Sequence, residues 1–374
     1  MSIFNSSSLA AAFAVALLLS SSSVVAADDA IPVFRAGESG YHTFRIPAII
    51  GTVKGTLLAF AEGRKSGRGD AGDIDLVLKR SNDSGKTWGP LQVVWDDNEN
   101  TCGNPCPVVD SATGTIWLPM TWNRGDDTEA RIKAGASKDG RRVYMSHSTD
   151  DGVTWANPRD ISGAAKGEGW RWYATGPGVG IQIAEGKHKG RLVIPCDHSV
   201  EGGGFSSHSI QSDDGGRTWS LGGVIRPDVN ECQLVELPGG KLMMNLRNYA
   251  KTDAKRRAVA TSEDGGQTWS AVHYDAVLIE PVCQASLIRL RRTTAAGEAR
   301  LLFSNPASEK TREKMTVRLS KDGGKTWPAS KVLHAGPAAY SCLVELADGS
   351  LACYYERGEK NAYEELVFQR FTIE

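Results

Sequence analysis

The sequence predicts an all-β protein, a six-bladed β-propeller of four-stranded antiparallel blades. One octapeptide recurs five times, strand-like runs flank every copy, and long helical patterns are hard to find. The copies read SNDSGKTW from Ser81, STDDGVTW from Ser148, SDDGGRTW from Ser212, SEDGGQTW from Ser262 and SKDGGKTW from Ser320. Their aspartates, Asp83, Asp150, Asp214, Asp264 and Asp322, are spaced by 67, 64, 50 and 58 residues. Periods of this size mark a solenoid or a propeller built from one supersecondary unit per repeat.

Residues 1–27 differ from the rest. The apolar run LAAAFAVALLL lies among serines, and small residues, Val25 and Ala27, precede Asp28. This pattern predicts a cleaved secretory signal over residues 1–27, although no Lys or Arg precedes the apolar run. A retained anchor is the other reading, but the run is short for a span. The expected product is one domain, residues 28–374, secreted or periplasmic and without a membrane span.

Each octapeptide then joins two strands. IDLVLKRS, RVYMSHS, SSHSIQS, RAVATS and KMTVRLS precede the five copies, and apolar segments such as LQVVW and KVLHA follow. The copy is therefore a hairpin turn. Its Asp accepts from turn N–H groups, its Gly takes a backbone conformation closed to other residues, and its Trp plugs the neighbouring hairpin. The spacing lacks the dense Asp/Asn pattern of a calcium loop. A chain of about 347 residues with a repeat near 58 gives roughly six units. The last strand, in ELVFQRFTI, is expected to close the ring with the chain's beginning.

Composition narrows the partners. Lys plus Arg total 43 and Asp plus Glu 44, a net charge of −1, which gives no support to a nucleic-acid partner. Seven cysteines show no repeated spacing and complete no zinc pattern, so they read as buried thiols with at most one bridge. The seven histidines form no cluster in the sequence, and no metal or organic cofactor is expected.

The unusual segments lie between the repeats, and the first is YHTFRIPAII. FRIP near the start, followed by the repeated boxes, resembles the sialidase (neuraminidase) family, bacterial exo-α-sialidases of glycoside hydrolase family 33 in particular, from about residue 33 onward. The resemblance implies three arginines that hold a sugar carboxylate: Arg45 of FRIP, Arg247 of MMNLRN and Arg312 of EKTREK. A guanidinium suits the task because its planar fork pairs bidentately with a carboxylate and keeps its charge. Arg318, Arg256 and Arg257 read as ordinary strand and loop charges.

The resemblance also implies a tyrosine nucleophile, Tyr340 of AAYSCLVEL, with Glu231 of NECQLVEL as its base. A neutral phenol avoids bringing an anion against the substrate's carboxylate, but its pKa near ~10 demands a base. Glu236 is the rival base, although its Pro-Gly-Gly neighbour suits a strand end. Asp70 is the implied acid/base, from KSGRGDAGDIDLVLKRS, with Asp73 and Asp75 as competitors. Arg64 of AEGR lines the same pocket, and Glu356 of CYYERG buttresses Arg45. Asp126 of TWNRGDD is offered to the sugar hydroxyls, and Trp122 or Trp172 with Tyr173 to the N-acyl group or aglycone. The implied substrates are sialylated glycans. Trans-sialidase activity on the same groups and a non-catalytic glycan-binding propeller are the alternatives; the second predicts loss of Asp70, Glu231 or Tyr340, and all three are present.

Overall fold

The computed structural model describes Met1, residues 30–250 and residues 255–374. The expected signal segment falls, from residue 2 on, outside the described residues. In chain order the strands are β1 (Ile31–Arg35), β2 (Thr43–Gly51), β3 (Leu57–Arg64), β4 (Ile74–Ser81), β5 (Gln92–Trp95), β6 (Thr101–Gly103), β7 (Val108–Val109) and β8 (Ile116–Asn123). A short helix, α1 (Glu129–Lys133), leads to β9 (Arg142–Ser148) and β10 (Arg159–Asp160). After α2 (Ser162–Ala165) come β11 (Trp170–Thr175), β12 (Ile181–Gln182), β13 (Leu192–Val200), β14 (Phe205–Ser212), β15 (Ser220–Ile225), β16 (Val229–Glu236), β17 (Leu242–Asn248), β18 (Arg256–Ser262) and β19 (His273–Ile279). The last are β20 (Ser286–Arg289), β21 (Leu301–Pro306), β22 (Glu313–Ser320), β23 (Ala329–Glu345), β24 (Leu351–Arg357) and β25 (Glu365–Phe371).

The fold is all-β, and its sheets are mostly antiparallel. β16-β17-β18-β19 stands alone as a four-stranded meander, and β11-β13-β14-β15 forms another with β12 beside β13. The long β23 belongs to two meanders: its first half pairs with β22 and its second half with β24. A single parallel pairing, Ile74 with Thr101, joins the β2–β5 meander to β6–β10. β1 pairs with β25, so the two ends of the described chain close one sheet. Six inner segments, around Ile49, Val108, Val179, Leu234, Leu287 and Leu343, line one central recess.

The octapeptides are the turns of the outer hairpins. Asp214 accepts from the Thr218 backbone N–H at 2.9 Å and from its hydroxyl at 2.6 Å, and Ser212 donates to it at 2.8 Å. Ser212 Oγ in turn accepts from Gly216 N. Gly216 has φ +91°, and a Cβ there would collide with the Trp117 ring of the preceding meander. Only glycine meets both demands. Trp219 then packs edge-on against Trp117, and Trp88 of the first copy packs edge-on against Phe368. Each turn thus ends in a ring pressed on its neighbour.

Inner strands are covered on both sides, so LLAFA of β3 reads as a continuous apolar run rather than an alternating one. All eight residues of β3 are buried. Each fully buried Leu or Phe contributes roughly 1.5–3 kcal/mol. All seven cysteines are free and buried. Arg257 departs from its expected surface place. It is fully buried, paired with Glu280 at 2.6 Å, and donates to Asn245 and the Cys283 carbonyl. Strand alternation explains this, since Arg256 and Arg257 face opposite sides of β18.

Candidate active site

A recess of about 680 Å³, counted out to its open mouth, lies at the opposite end of the inner segments from the apolar one. Its wall is largely polar and is drawn from every meander. Arg45 reaches it from β2 through an irregularity in pairing with β3 between Arg45 and Ala48. Ile46 there has φ +59°, a costly conformation for a β-branched residue of the kind that clusters at functional sites. Glu356 holds it: its Oε1 accepts from Ile46 N at 3.0 Å and from Arg45 Nε at 3.1 Å. Oε2 accepts from Arg45 Nη2 at 3.3 Å and from the Tyr340 backbone N–H at 3.0 Å. Glu356 thus fixes Arg45 and places the Tyr340 strand beside it.

Tyr340 projects from the second half of β23. Its hydroxyl donates to Glu231 Oε1 at 2.5 Å, and Arg247 Nη1 donates to Glu231 Oε2 at 2.6 Å and to Tyr340 Oη at 3.2 Å. Burial and the Glu231 charge push the Tyr340 phenol well above its ordinary value, against the pull of Arg247, Arg312 and Arg45. The phenol is therefore protonated at rest, with a carboxylate positioned to take the proton. Arg312, from the loop into β22, donates to Tyr363 Oη at 2.9 Å and lies 5.5 Å over the Tyr340 ring. Among the described residues, Arg247 Nε is buried without a hydrogen-bond partner. These three guanidinium groups surround one side of the phenol and can hold one carboxylate.

Asp70 sits on the loop between β3 and β4, aimed into the recess and half-exposed. Arg64 Nη2 is 2.8 Å from it and Arg45 Nη1 3.5 Å. Arg64 also donates to the carbonyls of Arg68 and Gly69, which fixes the loop. Burial alone would raise the Asp70 pKa, but Arg64 and Arg45 hold it below the ordinary carboxylate value. Its competitors point elsewhere: Asp73 pairs with Lys65, and Asp75 accepts from Tyr41 at 2.6 Å. Glu236, the rival base, accepts from Ala184 N and Glu185 N on the far side of the molecule.

The structure brings together Arg45, Arg64, Asp70, Glu231, Arg247, Arg312 and Tyr340, with Glu356 directly behind. Asp126 is not among them. It is exposed and forked to Arg124, two residues back on the same turn. Trp122 donates to Asp97, away from the wall, whereas Trp172 lines the pocket with the buried Arg141 guanidinium 3.9 Å over its ring.

Sequence reasoning missed Glu62, Asn104, Arg141, Asp197 and Tyr249 in this wall. Glu62 carried a signal, because it lies two residues before Arg64 and so on the same face of β3. It accepts from Arg64 at 2.6 Å and from Asn104 N at 2.8 Å. For Asp197 the sequence offers only a charge inside the apolar run RLVIPCDHSV. Arg141 carried no local signal. It donates to Tyr173 O, Thr121, Asn104 and Asn123.

Antiparallel meanders surrounding a phenol–carboxylate pair among clustered guanidinium groups define a pocket suited to an anion. A family model described as a BNR repeat-like domain matches residues 55–353. A sialidase of Micromonospora viridifaciens is 36% identical over 332 residues, covering 86% of this chain and 51% of its own length. An exo-alpha-sialidase of Aspergillus fumigatus is 33% identical over 387 residues, covering 92% of this chain and 90% of its own. Among solved structures, a Hadza microbial sialidase superimposes with a TM-score of 0.81 at 30% identity, covering 91% of this chain and 68% of its own. The chain belongs to the sialidase family, whose members are glycosidases. It spans about half the length of the Micromonospora relative.

Proposed function

We propose that this chain is a retaining exo-α-sialidase, a six-bladed β-propeller that removes terminal sialic acid from glycans through a sialyl-tyrosine intermediate. The observation that carries the chemistry is the 2.5 Å hydrogen bond from Tyr340 to Glu231 within reach of three arginines. Six inner segments around one recess and the β1–β25 pairing support the propeller. The substrate carboxylate binds Arg45, Arg247 and Arg312. Glu231 takes the phenolic proton as Tyr340 Oη attacks the anomeric carbon, while Asp70 gives a proton to the departing glycosidic oxygen. Water then attacks the same carbon, Asp70 takes its proton, and Tyr340 leaves and recovers its proton from Glu231. The net reaction adds one water across the glycosidic bond.

Asp70 is held ionised in the free pocket by Arg64 and Arg45. A substrate carboxylate arriving at Arg45 offsets that field, and the sugar displaces water from the recess. Both effects raise the Asp70 pKa and load it as an acid when substrate is present. Arg247 and Arg312, near the phenol, favour the phenolate as its proton departs and steady charge in the transition state.

The test is turnover of linkage-defined sialyllactoses with the first product followed by proton NMR, and trapping with a fluorinated sialosyl fluoride followed by peptide mass spectrometry. Initial release of the α anomer and a label on Tyr340 are expected. Initial release of the β anomer, or a label elsewhere, would overturn the mechanism. Product identity separates hydrolysis from transfer.

A further inference from the structure

The guanidinium groups around the phenol differ in what anchors them. Arg45 pairs with Glu356 and Asp70, Arg64 with Glu62 and Asp70, and Arg247 with Glu231. Arg312 stands apart. Among the described residues it has no carboxylate within ion-pair distance, and its Nη1 donates to the Tyr363 hydroxyl at 2.9 Å. The Tyr363 ring also lies 4.4 Å from the Arg45 guanidinium, closer than the 5.0 Å to the Tyr340 ring. Tyr363 thus touches two of the three arginines proposed to hold the substrate carboxylate, yet the mechanism above gives it no part.

The turn from β24 to β25 is built to hold that ring. Glu364 accepts from the backbone N–H groups of Glu359 and Lys360 at 3.0 Å and of Asn361 at 3.1 Å. Asn361 Oδ1 then accepts from Tyr363 N at 3.0 Å. Gly358 opens the turn, where a Cβ would come within 2.2 Å of the Asn361 carbonyl, and Arg357 pairs with Glu365 across the base at 2.9 Å. Glu356 belongs to the same hairpin, so one hairpin anchors both Arg45 and Arg312. The two anchors differ in charge. A carboxylate beside Arg312 would hold it and cancel its charge, whereas a neutral phenol accepts its hydrogen bond and leaves the charge for an incoming anion. Without that acceptor, the long side chain would have to be ordered at the moment of binding, which weakens binding.

We infer that Tyr363 is the positioning residue of Arg312: its hydroxyl fixes that guanidinium, with its charge uncompensated, where the substrate carboxylate meets it. This rests on the sialidase reading of the pocket. The test uses the full chain as wild type, Tyr363→Phe, Arg312→Ala and the double variant. Each is titrated with the 2,3-didehydro derivative of N-acetylneuraminic acid, as the free acid and as its C1 carboxamide, and assayed on an aryl sialoside. Tyr363→Phe keeps the ring and loses the hydroxyl. It is expected to weaken the acid by about fivefold and the carboxamide by less than about twofold. KM should rise by about fivefold with kcat nearly unchanged, the pattern of lost uniform binding. In the Arg312→Ala background the same change should cost less than about twofold, because Tyr363 acts through Arg312. Equal weakening of acid and carboxamide, a penalty undiminished without Arg312, or a loss confined to kcat would overturn the assignment. So would acid binding by Tyr363→Phe equal to that of wild type. A wild type that binds neither compound and leaves the sialoside intact would instead overturn the sialidase reading itself.

Discussion

Glu356 grips Arg45 with both carboxylate oxygens, at 3.1 and 3.3 Å, across 311 residues of sequence, and is itself fully buried. The same two oxygens accept from Ile46 N and Tyr340 N. One side chain therefore sets Arg45 and the backbone of Tyr340, the proposed clamp residue and nucleophile, together. Glu356→Gln keeps the shape and removes the charge, leaving the Arg45 guanidinium buried with Asp70 as its remaining anion. Breaking a buried pair costs about 3–5 kcal/mol, and the lower end is expected because Asp70 is 3.5 Å away. Chemical denaturation should show that loss, with kcat/KM down at least about tenfold. Unchanged stability would show that Arg45 does not depend on Glu356.

The proposed acid, Asp70, and the proposed nucleophile, Tyr340, should separate by substrate. Asp70→Asn cannot protonate a departing sugar oxygen, and general-acid help is worth about 10²–10⁴-fold. That factor should be lost on sialyllactose and largely spared in the first step on an aryl sialoside, which leaves as a stabilised phenolate. Slower water attack should then appear as a burst of phenol. Tyr340→Phe removes the attacking oxygen and should damage both substrates. Equal slowing of both by Asp70→Asn, without a burst, would put the acid elsewhere.

Arg247 contacts Glu231 and Tyr340 through Nη1 alone, and among the described residues its Nε is buried without a partner. Arg247→Lys keeps a charge near Glu231 but loses the planar fork. A drop in kcat/KM of at least about tenfold, or ~1.4 kcal/mol, is expected. Kinetics equal to wild type would remove Arg247 from the clamp.

The repeated turns should matter for stability and not for turnover. Asp214→Ala strips the acceptor from Thr218 and Ser212 and should cost about 1 kcal/mol, near the low end for an unpaired group because water reaches the turn. Folded protein should turn over as wild type does. A variant of full stability without activity would contradict this.

Acid should act through the same turns. The Thr218 hydroxyl and N–H hold the Asp214 carboxyl at about 2, and Asp83 and Asp150 are held likewise at about 2. Their folded pKa values lie below the unfolded ones, so their stabilisation is full above about pH 4 and is lost as pH falls through about 2. The melting temperature should fall steeply over that window, and Asp214→Asn should show a shallower fall. An identical pH profile in the variant would assign the acid sensitivity to other groups.

The sequence alone determined what rests on short-range chemistry. In each repeat the Asp and the Thr that bonds it lie four residues apart, so the turn, its flanking strands and the repeat interval could all be read in line. The residues gathered around Tyr340 were reached through motif resemblance, and Asp126 shows the limit of that route, because its near neighbour Arg124 holds it outside the pocket. What tertiary structure decided is which distant groups share a dielectric. Glu356 behind Arg45, Arg257 inside rather than on the surface, and Asp197 buried in the pocket wall all follow from the packing of distant meanders. That packing brings inner strand ends from across the described residues into one recess. There the cost of an unpaired charge, negligible for an exposed side chain, fixes the partner and the protonation state of each group.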